Sequence, residues 1–452
     1  MQRTLFISCF FNLVARNILY TVFFKILSSR LDLKIVLLVP AGKKVIFERE
    51  FGGPTVVIEE IQFYRLSGIN LLFHLLSWHL LNTKSKKIHK LVQLKKDHNY
   101  FNFFITSLLA KLGRFNIVRR VFRTLDYLLM PRGGFDYLFD KYHPDLVLAT
   151  DIQDLRVQAW SDTALIREAH RHGILSMGMG RSWDSMTTKG LLRTLPDKLV
   201  VQTADIKNQA IVYHSVDKAR ISVVGTPHYD KYINEPRINR TDFFKTIGLD
   251  PNRKLILLVL PSDIWTGDPE LNISLLKLLA GLKEQVMVRF PIFGKIDVGG
   301  FVPPSHMVFD SPNNSEYLEE SLLNRQDDDH LADLLYHSNV VVTGASSIIV
   351  DAAIFNKPAV LIGFDGDEVK PYWASMRRYY DYEHQQLILE RGSFNVAKNK
   401  DELVRWVKLY LNNPEMGTAE RSSVAETFCP RKDGRSSQSL ADIVWNTLIH
   451  KK

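Results

Sequence analysis

The sequence predicts an α/β protein of two domains, each a doubly wound parallel sheet, facing a common cleft. Three observations carry that expectation. Short β-branched or apolar runs alternate with helical patterns along most of the chain, the signature of strands joined by crossover helices. The alternation lapses once, over Asn234–Arg240, where Asn, Glu, Pro and Arg replace the apolar pattern, and then restarts. The length, 452 residues, exceeds what one ordinary core holds.

In the first half, Thr4–Phe11 reads as a buried strand, Arg16–Arg30 as a helix and Lys34–Val39 as a second strand closed by Pro40. Asn12, Arg16 and Asn17 interrupt the first apolar run, which argues against a secretory leader. Val56–Glu59 is a candidate third strand, and a basic helical region follows from about Leu71 to Leu129, ending at Pro131-Arg132-Gly133-Gly134. Strands resume at Asp145–Thr150, then a helix over Ser161–His172 with Gly173 as its C-cap, then strands at Ile174–Met179, Leu199–Gln202 and Ile221–Val224. Beyond the lapse, Leu255–Leu260 is the strongest strand, followed by a helix near Asn272–Lys283 and a strand at Val286–Phe290. Ser315–Glu320 and His330–His337 read as short helices around an acidic loop, Asp327-Asp328-Asp329, and Val340–Thr343 and Ala359–Ile362 as the last strands. Two Rossmann-like domains follow, at 1–233 with the helical insertion at about 71–129, and at 241–430, with 431–452 as a helix packing back on the first domain.

Composition narrows the class. Hydrophobic residues at 46% and charged residues at 24% are globular values, and no stretch is long and charge-free enough to span a bilayer. Two distant cysteines, Cys9 and Cys429, offer neither zinc spacing nor a disulfide framework and suit a reducing cytoplasm. The formal charge of +9 is concentrated between residues 80 and 125, in Lys84, Lys86, Lys87, Lys90, Lys95, Lys96, Lys111, Arg114, Arg119, Arg120 and Arg123. Phe101, Phe103, Phe104 and Ile105 interleave with them, as on a surface that meets anionic phospholipid at the inner face of a cell membrane. An ordinary helical insertion with a solvated basic face has the same composition. No nucleic-acid module is visible.

The most informative stretch runs from Ser338 to Ala353, where a β-branched strand enters Gly344-Ala345-Ser346-Ser347 and then a helical pattern. Gly344 allows close backbone approach, while Ser346 or Ser347 can cap the helix and offer a hydroxyl. The helix N–H groups suit a diphosphate, and Asp351, one turn on, is placed to reach a ribose hydroxyl. Any strand-to-helix turn also favours Gly and Ser.

With Asn356-Lys357-Pro358-Ala359-Val360-Leu361 after that helix, the chain resembles the C-terminal domain of glycosyltransferase-B enzymes. Within them it is most similar to the CDP-glycerol glycerophosphotransferase family, which builds teichoic-acid-like polymers. Gly225-Thr226-Pro227-His228-Tyr229-Asp230 resembles that family's Gly-Thr-Pro-Arg-x-Asp motif, with His228 at the arginine position. Ser182-Trp183-Asp184-Ser185-Met186-Thr187-Thr188-Lys189-Gly190 and Asp433-Gly434-Arg435-Ser436-Ser437 resemble two further segments, so the likeness spans about residues 145 to 450. In one departure, Phe290 stands where the family usually has a histidine, although Arg289 remains as a candidate bidentate phosphate ligand.

The resemblance implies a transferase that takes a glycosyl or polyol-phosphate group from a nucleotide-activated donor to a surface glycan or its lipid-linked precursor, without a bound metal or other cofactor. Donor contacts would fall on Arg289, Gly344, Ser346, Ser347, Asp351, Gly225, Thr226 and His228. Acceptor contacts would fall on Asn12, Arg16, Asn17, Arg181 and Asp184, beyond the carboxyl ends of first-domain strands. Asp151 is the candidate catalytic base, with Asp154 close by, although Asp151 can equally cap the following helix. Two alternatives share the fold: a nucleotide-sugar 2-epimerase, and a non-catalytic nucleotide-sugar-binding scaffold.

Overall fold

The computed structural model describes residues 2–62, 65–132, 134–153, 161–235, 237–262, 268–292, 296–312, 325–392 and 394–450. The chain divides into two compact units, Met1–Ile233 with Arg431–Lys452, and Asn234–Pro430. Expected features at Asp154 and Ser315–Glu320 lie outside the described residues.

The first unit is built on seven strands: β1 (Arg3–Ser8), β2 (Leu33–Pro40), β3 (Val56–Ile61), β4 (Leu146–Ala149), β5 (Leu175–Met179), β6 (Lys198–Val201) and β7 (Ile221–Val223). Their order is β3-β2-β1-β4-β5-β6-β7, and every pairing is parallel. The second unit carries β8 (Leu255–Val259), β9 (Gln285–Arg289), β10 (Met307–Asp310), β11 (Val340–Thr343), β12 (Ala359–Ile362) and β13 (Asn395–Ala397). Their order is β10-β9-β8-β11-β12-β13, again all parallel. Strands covered by helices on both faces need unbroken apolar runs, and β8, β11 and β12 are buried at every residue. Ala359–Ile362 is therefore not the last strand. β10 and the three-residue β13 are too short and too polar at their ends to stand out as runs.

Two helical expectations change. The helix expected over Arg16–Arg30 is broken: a short helix, Asn12–Val14, leads into a π-turn over Ala15–Leu19, and helix resumes at Val22–Ser28. Tyr20 N–H reaches back to Ala15 O at 2.9 Å, and Thr21 turns extended while its hydroxyl bonds Ile18 O. The basic region is four helices, α1 (Gly68–Leu80), α2 (Lys84–Asp97), α3 (Tyr100–Leu112) and α4 (Asn116–Leu129). Thr83 and Asn99 cap α2 and α3, and Gly113 makes the sharp α3–α4 corner, where a Cβ would lie 1.8 Å from Leu80 O.

Several cations of this insertion point inward. Arg119 bonds the carbonyls of Gly113 and Val212, and Arg123 those of Leu192 and His214. Between them Asp126, fully buried, is held by Arg193 at 2.7 Å and by Arg167 of helix α5 (Asp162–Arg171). Lys86 is buried over the Trp78 ring, 3.0 Å from its centroid, and Lys90 donates to Thr106 O. These residues anchor the insertion and do not contribute to its outer charge.

The chain's last segment completes the first unit. Asp230 accepts backbone N–H groups of Ser436 at 2.9 Å and Ser437 at 2.6 Å, capping the final helix (Ser436–Ile449) with a buried carboxylate. Gly225, at φ +86°, makes room: a Cβ there would lie 2.3 Å from Ser436 Oγ. Asp230→Ala should lower the stability of this unit by about 2 kcal/mol in urea unfolding, whereas Asp433→Ala, at an exposed site, should change it little.

His214 gives a second prediction. It is fully buried; its Nδ1 accepts Leu192 N–H and its Nε2 donates to Met186 O, which fixes the neutral ring. Burial, reinforced by Arg123 and Arg119, pushes the imidazole down from 6.5 to about 3. The unfolded chain takes up this proton near pH 6.5 and the folded chain does not, so the stabilisation is complete above that pH and is lost as pH falls towards 3. The loss approaches about 1.4 kcal/mol per pH unit for one proton. Urea titrations across that window should show a shallower acid limb for His214→Gln than for the natural chain.

Candidate functional site

In a parallel sheet the strand order reverses at a switch point, and the crevice beyond the carboxyl ends there is where ligands bind. The first unit's switch lies between β1 and β4, the second's between β8 and β11. Asp151 follows β4, and Gly344-Ala345-Ser346-Ser347 follows β11.

At the first switch, Thr150 stitches the two strands: its N–H donates to Ser8 Oγ at 3.0 Å and its hydroxyl to Ser8 O at 2.7 Å. The Asp151 N–H donates to the Asp162 carboxylate. The Asp151 carboxylate is buried, 3.1 Å from Arg181 Nη1 and 4.0 Å from Lys189 Nζ. The following described helix, α5, starts at Asp162 after Ser161, so Asp151 does not cap it. A buried carboxylate beside two cations helps to hold them in place.

Asn17 Nδ2 donates to Arg181 O at 3.3 Å, and the Arg181 guanidinium sits over the Phe11 ring, 4.0 Å from its centroid. The π-turn thus brings Asn17 onto the Arg181–Asp151 pair. It also carries Arg16, whose Nη2 lies 2.8 Å from His228 Nε2. A guanidinium only donates, so His228 Nε2 accepts and its proton is on Nδ1. His228 is buried against Tyr229 and Tyr232, and Thr226 O anchors the Pro227–Tyr229 turn. Asn12 opens the short helix after β1. Asp184 is taken up locally, accepting from Ser182 and, at 2.9 Å, from Thr188. Gly225, Thr226 and His228, expected on the donor, therefore lie in the first unit, and Gly225 serves the packing of the final helix.

At the second switch, β11 runs through the turn into the seven-residue helix Ile348–Ile354: Ser346 Oγ accepts Ile348 N–H at 3.4 Å at its start, and Ser347 is exposed. A Cβ on Gly344 would meet Met376 Cε at 3.0 Å and Pro261 Cβ at 3.5 Å, so the segment carrying Met376 packs closely on this turn. Asp351, in the first turn of that helix, is buried, as are its neighbours Ile348–Ala353.

Around this turn wraps the segment after β12, which sequence reasoning passed over. Asp365 accepts the N–H groups of Lys370 and Met376, and Asp268 accepts Gly366 N–H and pairs with Lys370 Nζ at 2.9 Å. Burial alone would raise the Asp268 carboxyl, but Lys370 and the Gly366 N–H hold it below the usual carboxylate range. Arg377 is exposed and braced on Ser375 Oγ at 2.9 Å and Lys370 O at 2.8 Å. The signal was present as a basic and aromatic cluster, Lys370, Tyr372, Trp373, Arg377 and Arg378, soon after a strand's carboxyl end.

Arg289 departs from expectation. It is 3% exposed, with Nη1 on Asp310 at 2.6 Å and Nη2 on both oxygens of Asp327 at 2.6 Å. Two carboxylates occupy the guanidinium that was expected to meet phosphate. Asp327, expected in a loop, is in the first turn of the helix Arg325–His337. His330 of that helix donates Nε2–H to Asp310 at 3.2 Å; although burial raises the Asp310 carboxyl, His330 and Arg289 hold it low. Phe290 is half-buried and packs edge-on to Phe309 against the apolar core. Among the described residues, Asp136, Glu168 and His172 come close enough together to hold a cation, but Arg171 already pairs with Glu168 at 2.6 Å.

The family of CDP-Glycerol:Poly(glycerophosphate) glycerophosphotransferases matches residues 300–446, less than half of the chain. No curated protein matches. Among solved structures, UDP-GlcNAc 2-epimerase from Neisseria meningitidis bound to UDP-GlcNAc is 11% identical with a TM-score of 0.56, over 99% of this chain and 100% of its own. A putative UDP-N-acetylglucosamine 2-epimerase from Listeria monocytogenes is 11% identical with a TM-score of 0.55, over 100% and 98%. The calicheamicin glycosyltransferase CalG4 is 11% identical with a TM-score of 0.50, over 100% and 99%. At such identities the likeness is one of fold, and that fold is the glycosyltransferase-B type.

Arg289→Ala would leave Asp310 and Asp327 without their cation, and should destabilise the second unit by about 3–5 kcal/mol in urea unfolding. Unchanged stability with weakened nucleotide binding would instead make Arg289 a ligand contact.

Proposed function

We propose that this protein transfers a polyol-phosphate group from a nucleotide-activated donor to a hydroxyl of a growing surface glycan or its lipid-linked precursor. The observation that carries this reading is the glycerophosphotransferase match over residues 300–446, which takes in both the Gly344–Ser347 turn and the braced basic segment beside it. Ser346, Ser347 and the turn's N–H groups would bind the donor's phosphates, with Lys370 and Arg377 offsetting charge on the leaving nucleotide. The acceptor oxygen would form a bond to the distal phosphorus as the bond to the nucleotide's phosphate oxygen breaks; CMP leaves with those electrons, and the hydroxyl proton is released. Asn17, Arg181 and Asp151 would orient the acceptor. This reading requires no resident metal or cofactor.

Sugar transfer is the second reading, favoured by Phe290, which puts an aromatic packed on Phe309 where the glycerophosphotransferases usually have a histidine. The two differ in the nucleotide released. Incubation with CDP-glycerol or UDP-GlcNAc and a glycerol-phosphate oligomer on a lipid anchor should release CMP. Ser346→Ala and Arg377→Ala should each lower kcat/KM about tenfold or more. Release of UDP instead would establish glycosyl transfer, and UDP-GlcNAc epimerised without acceptor would establish a 2-epimerase. No turnover of any donor would leave the scaffold reading in place.

A further inference from the structure

The outer faces of α3 and α4 are apolar stripes that nothing among the described residues covers. On α3, Phe101, Phe104, Ile105, Leu108 and Leu112 recur at the spacing of one helix face, and all are exposed, Phe101 to 78% and Phe104 to 64%. On α4, Ile117, Val121, Leu125 and Leu128 do the same, Ile117 to 66% and Leu128 to 67%. Phe115, at the corner between the helices, is exposed as well. Each stripe has the same border on one side: Tyr100 and Lys111 on α3, Tyr127 and Arg120 on α4.

We infer that this face docks on an anionic phospholipid bilayer, with the two stripes entering the acyl boundary and the bordering cations meeting the headgroups. Tyrosine with an apolar body and a polar tip, beside a cation, suits a boundary that is apolar below and wet above. The charge complements such a surface: Lys111, Arg114 and Arg120 are exposed here and Lys87, Lys95 and Lys96 on α2, whereas Asp97 is the one exposed acid among described residues of the four helices. A second copy of the chain fits less well, since a two-fold contact through this face would bring the same cations together. The platform is also fixed from behind. Arg119, Arg123 and Asp126 tie the inner face of α4 to the end of the helix Ala204–His214, to α5 and to Arg193, so docking needs no prior ordering of the helices. The inference does not depend on which group the protein transfers.

Flotation of the full chain with vesicles of phosphatidylcholine, with and without phosphatidylglycerol, tests it. The natural chain should float with the mixed vesicles, more weakly with phosphatidylcholine alone, and less at high salt. Phe101→Ser/Phe104→Ser/Leu128→Ser should abolish flotation on both, with an unchanged melting temperature because all three side chains are exposed. Lys111→Glu/Arg114→Glu/Arg120→Glu should weaken binding to the mixed vesicles on the order of 100-fold and leave binding to phosphatidylcholine unchanged. A natural chain that does not float, or flotation unaltered by the serine changes, overturns the inference. So does a chain that stays off vesicles but runs as a dimer that the serine changes split, which would assign the face to a second copy.

Discussion

Parallel pairing is the constraint from which the rest follows. Every strand pairing in both sheets is parallel, so each connection must cross over from one end of the sheet to the other, in most cases through a helix, and all carboxyl ends of a sheet share one edge. The side chains with chemistry gather on that edge because the backbone leaves no other place for the turns. Asp151 with Arg181, and the Gly344–Ser347 turn, each follow a strand flanking the point where the order reverses. Sequence distance is thereby converted into proximity: Arg16 follows β1 and His228 follows β7, yet they share a hydrogen bond.

Buried charge supplies the fastening. Asp126 holds the helical insertion, Asp230 holds the final helix and Asp310 with Asp327 holds Arg289. In each case a carboxylate out of water meets a cation or a pair of N–H groups, the condition under which a buried charge is tolerated. The two motifs around Gly225 and Ser436 lock to one another in this way, which gives them a structural reason for their composition apart from any ligand.

The sheet strands were legible because burial on both faces demands apolar runs, and Val340–Thr343 and Ala359–Ile362 match the structure residue for residue. The Gly344–Ser347 turn was legible for a local reason, since strand, glycine, serine and helix are contiguous. Partners of charged residues were not, because they lie far off in sequence. Nothing near Arg289 announces Asp310 or Asp327, and nothing near Arg119 announces Val212 O. The insertion's charge was therefore overcounted, with Lys86, Arg119 and Arg123 turned inward. The π-turn was hidden too, since its one-residue excess leaves the apolar spacing nearly intact.

Donor binding at the second unit's switch point is the central claim, and hydrogen–deuterium exchange with and without CDP-glycerol tests it most directly. The account predicts slowed exchange in two separated stretches, Gly344–Val350 and Gly363–Arg378, because the turn and the segment braced by Asp268 and Asp365 would close on one ligand. Protection confined to the first unit, or none at saturating ligand, would contradict it.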